Sequence, residues 1–409
     1  MVTTTALLRR KDFAPHSCLL ELTAVHDADV AQLKATLTGR ASTSLEEVKL
    51  DLSGLFQQNH RNKKLRKLFK ALGDLPHLKT LRFHYGMMER LPIPLLTIAL
   101  SLSTEKLEIL ELNQVNLTGT PPEFEVFWET LRRHASLQVF SFSSSGCSSA
   151  GSVNQLLRAL AETPKLEKVV LYSHDGKCPW GRLEGTAVES LCRSETLQDL
   201  QHLVLYDSSD AIHNFFTDEH TSAMARALSN NNPQPLQQPL QQNNIQSQLE
   251  EVMISCWPLG RQGVDALCQM LRTNTSLLKC TMVVYELGHD NNTQETCTMP
   301  ELATALQSNT TLQSFEIHGS TELGKWLEEA FLIMMQSNYT LTTLKLCQDE
   351  ALFLRPFLQF YLALNKAGRK LLDQNATRED WVSALIRVRQ DLSCIFYFLS
   401  TNPLLCSNR

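Results

Sequence analysis

Glycine is scarce in this 409-residue chain, with 16 residues or 4% against about 7% in average proteins. Loop-rich all-β folds draw heavily on glycine at their turns, so that class is disfavoured. Positive charge is also lacking. A formal net charge of −5 and a pI near 6.2 supply no field that would draw the chain onto nucleic acid or an acidic membrane. Long apolar runs are missing too. The longest, near Leu91–Leu102, is interrupted by Pro92 and Pro94 and falls short of the ~20 residues that a bilayer requires. Met1–Pro15 places Arg9, Arg10 and Lys11 after a short apolar patch, with no apolar stretch following, so no secretory signal is expected. The eleven cysteines include no C-x-x-C pair. Odd in number and scattered, they predict reduced thiols in a cytoplasmic protein. No glycine-rich phosphate loop, G-x-S-x-G or H-E-x-x-H occurs. Neither catalysis nor a cofactor is expected, and neither nucleic acid nor a membrane is an expected partner.

What the chain has in excess is leucine, 70 of 409 residues or 17%. The leucines follow a pattern. L-x-x-L-x-L, with other apolar residues allowed in the three L slots, recurs ten times, starting at Leu45, Leu78, Leu107, Leu137, Leu166, Leu200, Leu249, Leu277, Leu312 and Leu341. The intervals average near 33 residues, the signature of a repeat architecture. Between copies the apolar residues shift to helical spacing. Leu65, Leu68, Phe69 and Leu72 follow i, i+3, i+4, i+7, as do Val153, Leu156, Leu157 and Leu160, and Val264, Leu267, Cys268 and Leu271. Each unit is therefore one short strand and one helix, unable to bury its apolar side except by stacking on its neighbours. The predicted fold is an α/β leucine-rich repeat solenoid, or horseshoe, with parallel strands on the concave face and helices on the convex face.

That repeat resembles the ribonuclease-inhibitor-type leucine-rich repeat proteins over about residues 17–350. The tail, with Phe360–Arg369, Trp381 and Asn402-Pro403-Leu404-Leu405-Cys406, is similar to a large set of such proteins encoded in diatom genomes. The resemblance implies a solenoid fold and a binding role rather than a reaction. In one respect the chain departs from the pattern. The ninth slot, where the family carries Asn or Cys, holds Ser53, Gly86, Val115, Ser145, His174, Ser208, Trp257, Tyr285, Ser320 and Asp349. No asparagine ladder is expected at that slot, and the turns after the strands are expected to be irregular.

The expected organisation is a partial repeat and cap over 1–44, the ten-copy solenoid over 45–350 and a helical C-terminal cap over 351–409. A 49-residue interval contains Asn230–Gln246, where 14 of 17 residues are Asn, Gln or Pro, which predicts a disordered insertion. The cap reads as two helices, Leu354–Leu372 and Arg378–Leu399, the second opened by a Thr377/Asp380 capping box. Its wet side is assigned to Arg378, Asp380, Arg387, Arg389 and Asp391.

Smaller motifs have plain readings. Of six N-x-[ST] sequons, those at Asn274, Asn309 and Asn338 sit in N-x-[ST]-L just before a strand, where Asn suits a left-handed helix end. The basic cluster Arg61–Lys67 is the solvated face of a convex helix. His174, Asp175 and Cys178 in one rim loop, and Asp207, Asp210, His213, Asp218 and His220 in the next, match no zinc spacing, so no metal is expected.

Strand alternation supplies the candidate site. Slots 1, 4 and 6 face the core, so slots 3, 5 and 7 face the concave side. Mid-array these slots gather Val139, Lys168, Val170, Tyr172, His202, Val204, Tyr206 and Met253. Charged residues flank them, Glu47, Lys49, Asp51, Arg82 and Glu111 on one side and Glu316 and Lys345 on the other. An apolar, tyrosine-bearing centre in a polar surround suits a protein partner bound by a monomeric scaffold. Two other roles fit the same architecture. One is activation of a GTPase, a role taken by one branch of the resembled family. The other is small-ligand sensing through the rim loops 174–180 and 207–220.

Overall fold

All thirty L-slot residues of the ten copies are buried, none more than 8% exposed. The computed structural model of the chain describes residues 6–10, 18–22, 34, 37, 45–51, 62–84, 90–144, 152–173, 184–193, 200–207, 218–229, 249–256, 260–284, 299–318, 325–346, 355–370 and 376–403. The Asn230–Gln246 insertion lies outside these residues. So do the rim loop 174–180 and, apart from Val115, every ninth-slot position.

The chain divides into two units, Met1–Phe215 with Ser247–Leu249, and Phe216–Gln246 with Glu250–Arg409. In the first, β1 (Ala6–Arg10) runs antiparallel to β2 (Cys18–Leu22). Parallel pairing then continues through β3 (Leu45–Asp51), β4 (Thr80–His84), β6 (Ile109–Asn113), β8 (Val139–Ser144), β9 (Lys168–Ser173) and β10 (His202–Asp207). Two short strands absent from the repeat pattern, β5 (Arg90–Pro92) and β7 (Asn116–Thr118), pair with each other. In the second unit β11 (Glu251–Cys256), β12 (Lys279–Val284), β13 (Ser314–His318) and β14 (Thr343–Leu346) are parallel neighbours. Parallel strands need a crossover, and a helix supplies it in each repeat. This is the α/β leucine-rich repeat solenoid that the periodicity predicts.

Register is slot for slot, Val170 opposite Val204 and Tyr172 opposite Tyr206, for example. A recurrent pair of backbone bonds fixes it. The amides of slots 2 and 3 both donate to the slot-2 carbonyl of the preceding strand, as Glu108 and Ile109 do to Lys79 O at 2.8 and 2.9 Å. Gln313 and Ser314 repeat this on Leu278 O. The helical stripes Leu65–Leu72, Val153–Leu160 and Val264–Leu271 are buried at each apolar position named above.

A helix leaves its last carbonyls without intrahelical partners, and buried carbonyls must find donors. In the second unit the donors are the asparagines of N-x-[ST]-L. Asn274 Nδ2 donates to Leu228 O at 2.8 Å, Asn309 Nδ2 to Leu271 O at 2.6 Å and Asn338 Nδ2 to Leu306 O at 2.7 Å. Each carbonyl belongs to the preceding helix or its end. Each Oδ1 also accepts two amides of its own turn, for Asn309 those of Thr311 at 3.0 Å and Leu312 at 2.7 Å. The rungs connect as well. Asn309 Nδ2 reaches Asn274 O, Asn338 reaches Asn309 O and Asn365 reaches Asn338 O, at 3.4, 3.2 and 3.0 Å. An asparagine ladder therefore exists, at the helix exit rather than at the ninth slot. The left-handed expectation is overturned: Asn274 is extended at φ −76° and ψ 133°, and neither Asn309 nor Asn338 has positive φ. Asn is required here for its side chain.

The first unit fills the same place differently. Thr163, three residues before its strand motif as the asparagines are, brings its hydroxyl 3.1 Å from Leu131 O. Three residues before Leu137 stands His134, fully buried, with no hydrogen-bond partner for either ring nitrogen among the described residues. Burial pushes the His134 imidazole down to about 4.

The C-terminal cap has its own core of Leu364, Trp381, Val388 and Phe398 with smaller neighbours. The capping box forms, Thr377 N donating to Asp380 Oδ2 at 2.9 Å and Asp380 N to Thr377 Oγ1 at 3.3 Å. The expected second helix is two helices, Arg378–Arg387 and Leu392–Thr401, because Asp391 starts a new one by accepting from the Ser393 and Cys394 amides. Buried Arg369 donates to Met335 O at 3.0 Å and to Gln336 O, and lies over the Tyr339 and Tyr361 rings at 4.3 and 4.9 Å.

His134 makes stability depend on acid. Between pH 6.5 and about 4 the unfolded chain takes up a proton that the folded chain refuses, so stability falls through that window and levels off below it. The loss amounts to about 3 kcal/mol. His134→Asn should remove this part of the acid limb when urea midpoints are compared between pH 7 and pH 4. An unchanged slope would show that the ring is not held neutral.

Candidate functional site

Side chains at slots 3, 5 and 7 lie opposite the buried slots, on the sheet face away from the helices. In the first unit this face carries seven of the eight candidate residues. Val139, Val170, Tyr172, His202, Val204 and Tyr206 are half-buried and Lys168 is exposed. The β9–β10 register sets Lys168 beside His202, Val170 beside Val204 and Tyr172 beside Tyr206. The two tyrosine rings stack, with centroids 4.5 Å apart and planes 23° apart. Val139 joins through β8, opposite Lys168. Met253 stands on β11 in the second unit, half-buried opposite Thr281.

Toward the start of the same sheet the face becomes ionic. Arg82 lies between two carboxylates, Glu111 directly opposite it and Glu47 diagonal to it, pairing through NH1 with Glu47 and through Nε with Glu111 at 2.9 Å. Glu47 is 4% exposed, and Arg82 is a counter-ion that helps to make its burial tolerable. The residues were legible in the sequence. Their pairing was legible only in part: Glu111 shares slot 5 with Arg82, but Glu47 reaches it diagonally, from slot 3 to slot 5 across strands. In the second unit Glu251 pairs with Lys279 at 2.6 Å, and Glu316 receives Lys345 at 3.0 Å and His318 at 3.1 Å. Burial pushes the Glu316 carboxyl up, but the hydrogen bonds from Lys345 and His318 outweigh it and hold the group below its ordinary value.

Chemically, the first unit's face can bury apolar surface and orient a partner by charge. Stacked tyrosines offer broad aromatic area with few rotatable bonds and a polar tip. Among the described residues no group of three or more His, Cys, Asp or Glu is placed to hold a metal. Of the rim-loop residues considered for one, His174, Asp175, Cys178, Asp210 and His213 lie outside the described residues. Asp218 accepts from Gly260 N at 2.8 Å at the start of the helix Arg261–Thr273, and His220 is buried. No helix among the described residues is long and apolar enough to cross a membrane.

No family model matches the chain, and no curated protein matches it. Among solved structures the chain is similar to one in the crystal structure of the Rad7 and Elc1 complex in yeast. Identity is 14% and the TM-score 0.42, covering 80% of this chain and 76% of that one. The repeat fold rests on the strand register and the buried slots.

Replacing Arg82 tests the ionic part of the face. Arg82→Met should destabilise the first unit by about 1–3 kcal/mol, because buried Glu47 loses the charge of Arg82. Adding Glu47→Met should recover most of the loss. Urea unfolding of both variants measures this, and a single variant as stable as wild type would contradict the pairing.

Proposed function

We propose that the chain is a non-catalytic interaction scaffold of the ribonuclease-inhibitor-like repeat type. It binds a protein partner on the first unit's sheet face, at Val139, Lys168, Val170, Tyr172, His202, Val204 and Tyr206. The observation that carries the reading is the stacked Tyr172–Tyr206 pair. Two half-buried aromatic rings in strand register, beside two valines and bordered by charge, form the apolar centre and polar surround by which protein partners are bound. The Arg82 triad, held by its own internal pairs, then sets register and rejects mismatched partners more than it adds affinity. The reading assigns no cofactor and no reaction, a protein partner rather than nucleic acid or membrane, a monomer and a cytoplasmic setting. Met253 belongs to the second unit, and the proposal stands on the seven residues of the first.

Affinity capture from native lysate tests it, with the full chain immobilised beside a Tyr172→Glu/Tyr206→Glu double variant whose circular dichroism matches wild type. One protein should be retained by wild type and depleted about tenfold or more in the variant. Identical captures by both would remove the tyrosine face from the account.

A further inference from the structure

Eight large apolar side chains are exposed among the described residues, and six of them lie between Ile333 and Phe396. The most exposed, Leu392 at 81% and Phe396 at 73%, are one turn apart on the last helix, Leu392–Thr401. With Phe360 and Tyr397, whose rings meet edge-on at 6.1 Å, they line a shallow hollow of about 430 Å³. Ser393 and Ser400 complete its wall, so no charged residue lines it among the described residues. Such a surface left to water is unfavourable for an isolated protein and marks a contact site.

The cap that carries it is basic. Described residues 355–403 carry seven Lys or Arg against three Asp or Glu, in a chain whose net charge is −5. Two of the three acids are already engaged, Asp380 by the Thr377 amide and Asp391 by two amides of its own helix start. The exposed cations Lys366, Arg387 and Arg389 enter no ion pair among the described residues. Arg389 lies three residues from Leu392, which keeps their Cα atoms within about 11 Å.

We propose that this hollow is a second docking surface, taking an amphipathic helix with an acidic polar face from a partner protein. The partner's apolar stripe would seat on Leu392, Phe396, Phe360 and Tyr397, and its carboxylates would meet Arg387 and Arg389. The inference is independent of the tyrosine face.

The test uses two labelled, helix-stabilised peptides of about 16 residues. Both carry Leu at i, i+3, i+4 and i+7, and they differ only in Glu or Lys on the polar face. Fluorescence anisotropy on the full chain should show the Glu peptide binding about tenfold or more tightly than the Lys peptide, with the gap narrowing as salt rises. Phe396→Ser should weaken the Glu peptide about tenfold, and Arg387→Glu/Arg389→Glu should invert the preference. The charge reversal carries the test if Phe396→Ser misfolds by circular dichroism. Tyr172→Glu/Tyr206→Glu should leave peptide binding unchanged, which separates this surface from the first. Equal binding of both peptides, or binding of neither, overturns the proposal. So does self-association that Phe396→Ser abolishes, since a second copy would then be the occupant. Binding that appears only after residues 404–409 are removed also overturns it, making the chain's own tail the occupant.

Discussion

A strand–helix repeat has one demand that leucine cannot meet. Where each helix ends, its last carbonyls are buried against the next repeat and need donors that an apolar core does not supply. In the second unit one asparagine in each of three successive repeats answers this, closing its own turn with Oδ1 and the preceding helix with Nδ2. The asparagine amide suits the task because it offers two donors and an acceptor on a short side chain. The same atoms that end one helix therefore hold the next strand in register. Asn365, on the first cap helix, adds the last rung by reaching both Asn338 O and Leu341 O, which ties the cap to the repeats.

The first unit obeys the same demand less uniformly. Thr163 offers a single hydroxyl that also lies 2.9 Å from Ala159 O, so one donor faces two carbonyls. Ser136 lends its hydroxyl to Thr104 O and Leu107 O. His134 occupies the place with no hydrogen bond to its ring among the described residues and is held neutral by burial down to about pH 4. This unit's sheet face is also where the tyrosine pair and the Arg82 triad are found. Irregular rungs beneath a differentiated face are compatible, since slots 3, 5 and 7 are not constrained by the core.

The repeat itself was legible because three buried slots per strand and a helical stripe are spacing signals, and spacing survives without knowledge of the fold. The column order on the sheet face was legible for the same reason, since Tyr172 and Tyr206 occupy the same slot and parallel register brings them together. Three features were not. The ladder escaped because N-x-[ST]-L also reads as a turn, and only a bond to the preceding helix distinguishes the two. The break at Asp391 escaped because apolar residues continue at helical spacing on both sides of it. The exposed Leu392 and Phe396 escaped because an apolar pair one turn apart reads as core unless neighbouring helices fail to cover it.

The coupling of one repeat to the last through these asparagines is tested most directly by native-state hydrogen exchange on Asn309→Ala beside wild type. Losing the side chain orphans the amides of Thr311 and Leu312 and the Leu271 carbonyl together, for a cost of about 3 kcal/mol. Protection should fall in the turn at 309–312 and also at the end of the preceding helix near Leu271. A stability change below about 0.5 kcal/mol, with loss of protection confined to residue 309's own turn, would show that the ladder does not join the repeats.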